Sequence, residues 1–331
     1  MRKIVNVLKK IGIAVVVIVL LAALAVFINH KVQLSKESAL LKGEGVLAHF
    51  NNKKINVYNE GSGEDTYVFM AGSGIVAPVY ELKGMYRKFS LEDKIAVVER
   101  AGYGYSDVFG DDRDVDTILE QTREALVQSG NKPPYILVPH SISGIEAIYW
   151  AQKYPSEIKA IIALDIGLPQ QYVAHPMGFM DSIMVRGTSL LTTLGFHRLA
   201  PSSVYNPEVI RQSFLTEPEK DVYKALSYKQ FFNRDMEREL LQSYNNSVKS
   251  VNLPYPQDTP ILFLDAIADQ YKDSIYTVQK NKDYKSFAAQ LRLSDVITLR
   301  GTHSIYLYVP DEIYKLATAF IEKVNLERLK E

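Results

Sequence analysis

Cysteine is absent from this 331-residue chain, and tryptophan occurs only once. Without cysteine the protein forms no disulfide, has no thiolate nucleophile and offers no sulfur ligand to a metal. A net charge is missing as well, because 38 basic residues balance 38 acidic ones. No long run of one charge occurs, so nothing indicates a nucleic-acid partner. The six histidines are scattered without the spacing of a zinc site, so no metal or other cofactor is predicted.

Charge is also missing from the run IGIAVVVIVLLAALAVFI, residues 11–28, which follows a basic tail at 1–10. A bilayer core of roughly 30 Å needs about 20 apolar residues in a helix. The sequence therefore predicts one transmembrane helix at 11–28 in the cell membrane, a cytoplasmic tail and an extracytoplasmic remainder. A signal peptide cleaved after small residues at 23–25 is the alternative. It is disfavoured because the apolar run continues through Val26, Phe27 and Ile28.

Short apolar runs alternate with amphipathic segments beyond a polar linker predicted at 29–44. Runs at 66–71, 94–99, 135–139, 159–165, 260–265 and 294–300 predict buried strands of a mostly parallel sheet. Helices are predicted at 115–129, 143–153 and 310–327, and an antiparallel hairpin near 45–61. This alternation predicts an α/β fold in which helices flank the sheet. The long interval at 168–253 predicts an inserted helical cap, so that 45–167 and 254–331 form the α/β core.

The segment VPHSISG, residues 138–144, joins a predicted strand to a predicted helix. A serine on such a turn exposes its hydroxyl at the edge of the sheet, and the first turn of the helix offers free N–H groups to an oxyanion. Ser141 is therefore the predicted nucleophile. The alternatives are a serine that only caps the helix and, less favoured, a nucleophilic Ser143 one turn later.

A nucleophilic serine needs a base and an acid that orients the base. His303 follows the strand at 294–300 and is the predicted base. Asp269 follows the strand at 260–265 and is the predicted acid, with Asp165 as the alternative acid and Glu99 third. The Gly-rich turn MAGSGIVAP predicts an oxyanion hole from Ser73 and Ile142, with Gly74 also possible.

Four segments together resemble the α/β-hydrolase family, over about residues 45–327. ERAGYGYSD is similar to the D-R-x-G-x-G-x-S loop of that family, and PHSISG to its G-H-S-x-G-G turn. PILFLDAIAD resembles its acid segment, and GTHSIYLYVPDEI its histidine segment. The resemblance implies an α/β-hydrolase fold of the capped serine-hydrolase type, membrane-anchored as in bacteria. It carries the catalytic triad over to Ser141, Asp269 and His303.

The predicted function is a membrane-anchored serine hydrolase that cleaves a carboxylic ester or a related acyl bond in a small molecule. An apolar acyl pocket is predicted in the cap, from Phe179, Met180, Met184 and Leu191. One alternative is a proline-type aminopeptidase whose cap offers a carboxylate to the substrate amine, from Glu208, Glu217 or Glu219. Another is a non-catalytic binding module, because Pro139 and Ser143 occupy the glycine positions of the turn.

Overall fold

A computed structural model describes residues 2–330, apart from the side chain of Ser202. Within these residues the strands form one eight-stranded sheet in the order β1-β2-β4-β3-β5-β6-β7-β8. The strands are β1 (Val46–Phe50), β2 (Lys53–Glu60), β3 (Thr66–Met70), β4 (Lys94–Glu99), β5 (Tyr135–Pro139), β6 (Ile158–Leu164), β7 (Ile261–Ile267) and β8 (Ser294–Arg300). β1 and β2 pair antiparallel, and all pairs from β4 to β8 are parallel, so the predicted mostly parallel sheet is confirmed.

Helices precede, flank and interrupt this sheet. They are α1 (Arg2–Glu37), α2 (Pro78–Glu81), α3 (Lys83–Phe89), α4 (Val115–Gln128), α5 (Ser143–Lys153), α6 (Pro169–Ala174), α7 (Phe179–Thr193), α8 (Pro207–Arg211), α9 (Glu217–Gln230), α10 (Arg234–Val251), α11 (Ile275–Ala288) and α12 (Pro310–Arg328). Apolar side chains from both faces of the sheet build two cores. One packs against α3 and α12, and the other against α4, α5 and α11.

Helices α6 to α10 lie between β6 and β7 and are here called the helical insertion, residues 168–253. The insertion packs on loops that follow strands β3 and β4. Asp235 of α10 accepts hydrogen bonds from the amides of Phe109 (2.6 Å) and Gly110 (2.7 Å). Tyr223 of α9 donates to Glu81 (2.9 Å) in the loop region after β3. The insertion therefore stands at the carboxyl edge of the sheet, where ligands bind in open α/β folds.

The segment predicted as a linker, residues 29–44, is helical through Glu37 and then forms a short turn at Ser38–Leu40. A distant residue, Arg198, binds Glu37 and His30 and stabilises this helical part of the predicted linker. At its other end α1 begins at Arg2 and so includes the basic tail predicted at 1–10. Its most apolar 18-residue window has a mean hydropathy of 3.3, which is enough to cross a membrane.

Candidate active site

Ser141 lies on a sharp turn between the end of β5 and the start of α5. Its φ of +57° falls in the left-handed region, which is unfavourable for residues other than glycine. The turn fits only because Gly72 lies beside it. A Cβ on Gly72 would come within 2.7 Å of the Ser141 Cβ and 2.6 Å of the His140 Nδ1. The local geometry is therefore that of a strained strand-to-helix turn with its side chain at the carboxyl edge of the sheet.

Ser143 holds this turn in place. Its hydroxyl accepts a hydrogen bond from the amide of His140 (2.9 Å) and lies 2.9 Å from the Met70 carbonyl oxygen and 2.8 Å from that of His140. The residue is buried, and its hydroxyl is fully occupied by the backbone. Ser143 therefore has a structural role here, and it joins β3 to β5 just where Pro139 ends the strand.

Two stretches of backbone offer free amides near Ser141. Within residues 2–330, the N–H groups of Ile142, Ser73 and Gly74 donate to no protein acceptor. Ile142 is the residue immediately before α5, so its amide also has the favourable dipole of the helix start. The loop that carries Ser73 is held at its base by Arg100, which donates to the Ala71 carbonyl (2.7 Å). The free amides can therefore stabilise negative charge on a carbonyl oxygen bound beside Ser141.

His303 pairs with Asp165, and its predicted partner Asp269 lies elsewhere. The distance between His303 Nδ1 and Asp165 Oδ2 is 2.6 Å. Asp269 is 77% exposed at its side chain, and its nearest ion-pair partner is Arg300 at 3.8 Å. The physical reason is that β7 continues to Ile267, still paired with Arg300 of β8, and so carries the following turn out into solvent. The residue that orients His303 is the alternative acid.

Asp165 stands just after β6, in a left-handed conformation with a φ of +44°. Its second oxygen, Oδ1, accepts hydrogen bonds from the amide of Ala266 (2.9 Å) and from Lys280 Nζ (2.6 Å). Burial alone would raise the pKa of Asp165, but the hydrogen bond with His303 and the charge of Lys280 lower it overall. The carboxylate is therefore ionised and accepts the Nδ1–H of His303, which leaves Nε2 free to take a proton.

His140 supports the loop that carries His303. Its Nε2–H donates to the His303 carbonyl oxygen (2.9 Å), and the two ring centroids are 4.5 Å apart. Burial and the neighbouring His303 lower the pKa of His140 to about 3. The ring is therefore neutral at ordinary pH, and it fixes the loop of His303 without adding a competing charge.

The four side chains predicted to form an acyl pocket do not enclose one. Phe179, Met180, Met184 and Leu191 are between 50% and 79% exposed, because the face of α7 that carries them points away from the core. A cleft of about 630 Å³ opens instead between α6 and α11. It begins at Gly167, whose amide donates to the Ser141 carbonyl (3.0 Å), and it ends at Lys280 beside Asp165.

The acidic residues considered for an aminopeptidase are bound by nearby cations. Glu208 pairs with Arg211 (3.0 Å), Glu217 with Lys220 (2.8 Å) and Glu219 with Lys83. Glu99, the third candidate acid, is buried and accepts hydrogen bonds from the Tyr105 amide (2.8 Å) and the Asn56 side chain (3.0 Å). These carboxylates organise loops and helices, and no contact in residues 2–330 directs one of them at the site.

Sequence reasoning missed Lys280 and the pair formed by Arg100 and Glu239. Arg100 bridges the Ala71 carbonyl and Glu239 of α10 (2.6 Å), and Tyr103 donates to the same carboxylate (2.8 Å). The one available signal was the Arg of ERAGYGYSD, in the segment that resembles a family loop. Lys280 gave no signal, since it is one of several lysines on α11.

Comparison with known proteins agrees with this architecture. No protein-family model matches the chain. The uncharacterized protein YbdG of Bacillus subtilis (strain 168) is 64% identical over 325 residues, which is 98% of this chain and 100% of that protein. Among solved structures, Cfl2 of Burkholderia cenocepacia aligns with a TM-score of 0.63 at 16% identity, over 83% of this chain and 94% of its own. A thermophilic esterase of Thermogutta terrifontis aligns with a TM-score of 0.62 at 14% identity, over 85% of this chain and 99% of its own.

Such low identities to solved structures establish the fold, and the high identity to YbdG establishes kinship. The chain has the α/β-hydrolase fold and belongs to the same family as YbdG of Bacillus subtilis.

Proposed function

We propose that this protein is a membrane-anchored serine hydrolase that cleaves a carboxylic ester or a related acyl bond. The observation that carries the proposal is the 2.6 Å contact between His303 and the ionised Asp165, at the edge where Ser141 stands on its strained turn. A serine, an imidazole with a free Nε2 and an orienting carboxylate are the parts of acyl transfer by a nucleophilic serine. The esterase that shares this fold supports the same class of reaction.

The reaction proceeds in two halves. Ser141 Oγ attacks the acyl carbon while His303 Nε2 takes the hydroxyl proton, and the amides of Ile142 and Ser73 stabilise the resulting oxyanion. The bond to the alcohol then breaks, the alcohol leaves with the proton from His303, and the acyl group stays on Ser141. Water next attacks the acyl carbon and gives its proton to His303. That proton returns to Ser141 Oγ as the acid is released.

The substrate is a small molecule bound in the cleft between α6 and α11. The cleft volume of about 630 Å³ is within the range of ligand sites. Two of its lining residues contact the proposed catalytic residues, because the Gly167 amide donates to the Ser141 carbonyl oxygen and Lys280 binds Asp165. In the cell, α1 crosses the membrane with its basic start in the cytoplasm, and the hydrolase domain lies outside.

A charged, membrane-impermeant fluorophosphonate tests mechanism and orientation in one experiment. It should label the wild-type protein on intact cells, because Ser141 is activated and faces the outside. Ser141→Ala and His303→Ala should not be labelled. Asp165→Asn should lower kcat for an acyl ester by about 10³–10⁴, since His303 then lacks its anion. Asp269→Asn is the matched control and should stay within about twofold of wild type, as expected for an exposed surface acid.

Each part of the proposal can fail separately. Labelling of Ser141→Ala would remove Ser141 as nucleophile, and labelling only after cell lysis would reverse the orientation. A larger loss in Asp269→Asn than in Asp165→Asn would overturn the assignment of the acid. Absence of labelling in folded wild-type protein would favour a binding module. A matched ester and anilide with the same acyl group then define the bond that is cleaved.

A further inference from the structure

The outer end of α1 is clamped to the helical insertion. Arg198 donates through Nε to His30 Nδ1 (2.8 Å) and through both terminal nitrogens to Glu37 (2.8 and 2.6 Å). The same guanidinium lies over the ring of Tyr228, 4.5 Å from its centroid. Such two-pronged, charge-assisted bonds have a fixed geometry. The insertion is therefore held at one position along the helix.

That position is at the end of the apolar run. Gly195 follows α7 in a left-handed conformation with a φ of +86°. A Cβ there would lie 2.4 Å from the His30 Cβ and 3.3 Å from the Val26 carbonyl oxygen. Val26 belongs to the last turn of the uncharged run at 11–28. Because the backbone at Gly195 touches α1 beside its last apolar turn, this part of the insertion reaches the boundary of any bilayer that α1 crosses.

An apolar surface leads up to the same point. Large apolar side chains of α7, and one just after it, are exposed: Phe179, Met180, Ile183, Met184, Leu190, Leu191 and Leu199. The 15 residues of α7 contain only two charges, Asp181 and Arg186. Soluble surfaces rarely expose so many large apolar side chains together. We call these seven side chains the α7 surface.

We propose that the α7 surface lies on the lipid bilayer beside α1, with its apolar side chains among the acyl chains near the headgroups. The argument is continuity. The exposed apolar side chains of the run at 11–28 extend to Ile28, and the α7 surface begins a few residues from the contact of Gly195 with Val26 and His30. The apolar face of an interfacial helix lies in the plane of the membrane surface, with its side chains about 5–10 Å into the boundary between headgroups and acyl chains. The proposal rests on the proposed function only for the insertion of α1 into the membrane.

The single tryptophan of the chain makes a fluorescence test simple. Trp150 is fully buried and contributes the same background to every variant. Phe179→Trp and Leu199→Trp place a reporter at either end of the α7 surface. Leu91→Trp is the control, because Leu91 is equally exposed but precedes β4, at the amino edge of the sheet. Val19→Trp reports on the insertion of α1.

The full-length variants are reconstituted into phosphatidylcholine vesicles with or without brominated acyl chains, which quench nearby indoles. Quenching at both Phe179→Trp and Leu199→Trp should exceed that at Leu91→Trp by about twofold or more, as expected for side chains buried in the interface. If Phe179→Trp and Leu199→Trp are quenched no more than Leu91→Trp while Val19→Trp is strongly quenched, the α7 surface does not lie on the bilayer, although α1 still spans it. Quenching at Leu199→Trp alone would overturn the role of α7. An unquenched Val19→Trp would remove the anchor and the surface together, while fluorophosphonate labelling would still report on the catalytic serine.

Discussion

Lys280 sets the electrostatic environment of the proposed base. Its ammonium lies 2.6 Å from Asp165 Oδ1, on the opposite side of the carboxylate from His303, and 2.9 Å from Asp265 Oδ1. Burial would lower the pKa of Lys280, but Asp165 and Asp265 raise it overall, so the cation persists. A fixed positive charge close to Asp165 keeps this carboxylate ionised, because opposite charges attract strongly in a buried site.

Lys280→Met should therefore move the acidic limb of the kcat/KM profile to higher pH. Removal of the cation removes one cause of the lowered pKa of Asp165, so the carboxylate that orients His303 becomes protonated at a higher pH. The expected shift is about half a pH unit or more, measured with an acyl ester from pH 5 to 9. Lys159→Met is the matched control, since it removes a lysine paired with Asp65 (2.7 Å) at the amino end of β6.

A shift to lower pH, or no shift, would contradict this role of Lys280. If Lys280→Met is too unstable to assay, it is combined with Asp265→Asn. The second substitution removes the other carboxylate that Lys280 binds, which would otherwise be left without its cation. The double variant still tests the effect of Lys280 on Asp165, because Asp265 itself does not contact His303.

The positions of single residues in the fold were predictable where their signal is local. Ser141 and His303 could be placed after their strands because a strand, a turn and a helix follow one another within a few residues of each. The choice between Asp165 and Asp269 depends on where β7 ends, and on Lys280, which lies far along the chain from Asp165. Neither fact is contained in the residues around either aspartate.

At the scale of helices and strands, the apolar runs gave the sheet closely. The six predicted strands lie within two residues of β3 to β8, and the predicted hairpin is β1 and β2. Strands buried on both faces have a strong signal because every residue is buried and nearly all are apolar, as in β3 and β5. The segment after the apolar run of α1 lacks such a signal, because its helical form depends on a partner more than 150 residues away.

Arg100, which follows β4, connects α10 of the helical insertion to the loop after β3 that carries the proposed oxyanion hole. Glu239 should hold Arg100, and Arg100 in turn holds the Ala71 carbonyl just before Ser73. Glu239→Gln keeps the size of the side chain but leaves a buried guanidinium without its anion. Loss of one partner of a buried pair costs about 3–5 kcal/mol. Well below the unfolding temperature, kcat should fall while KM changes little, since oxyanion donors act in the transition state.

Glu237→Gln on the same helix is the control for Glu239→Gln. Glu237 only approaches Arg186, at 3.8 Å, on a largely exposed arginine. Its loss should change the free energy of unfolding by less than about 0.5 kcal/mol and leave kcat unchanged. Wild-type kcat in folded Glu239→Gln would show that Arg100 does not position the loop of Ser73.

For the molecule as a whole, buried glutamates make stability depend on pH. Burial raises the pKa of Glu81, Glu99 and Glu146, although hydrogen bonds partly oppose it. The folded protein therefore keeps protons that the unfolded chain releases above about pH 4.3. Stability from these groups is complete below that pH, and it is lost as the pH rises through the folded-state pKa.

Glu81→Gln should remove one part of this dependence. The amide fits between the hydroxyls of Tyr223 and Tyr306, which donate to Glu81 at 2.9 and 2.8 Å, and it never ionises. The free energy of unfolding of Glu81→Gln minus that of the wild type should therefore increase as the pH rises, by at most about 1.4 kcal/mol per pH unit. Denaturant unfolding of the full chain in detergent from pH 5 to 8 measures this. A difference that is constant with pH, or that falls, would contradict it, and exposed Glu217→Gln should give no slope.

The clamp between Arg198 and the outer end of α1 has a consequence for how the proposed membrane-anchored hydrolase meets its substrate. A helix of 36 residues is about 54 Å long, well beyond the bilayer core, and no loose joint separates its apolar part from the domain. In the anchored protein the height and tilt of the catalytic edge are then fixed, and rotation about the membrane normal is the main freedom left. For a substrate that itself lies in the membrane, encounters are then two-dimensional and depend on the number of substrate molecules per unit area rather than on a bulk concentration.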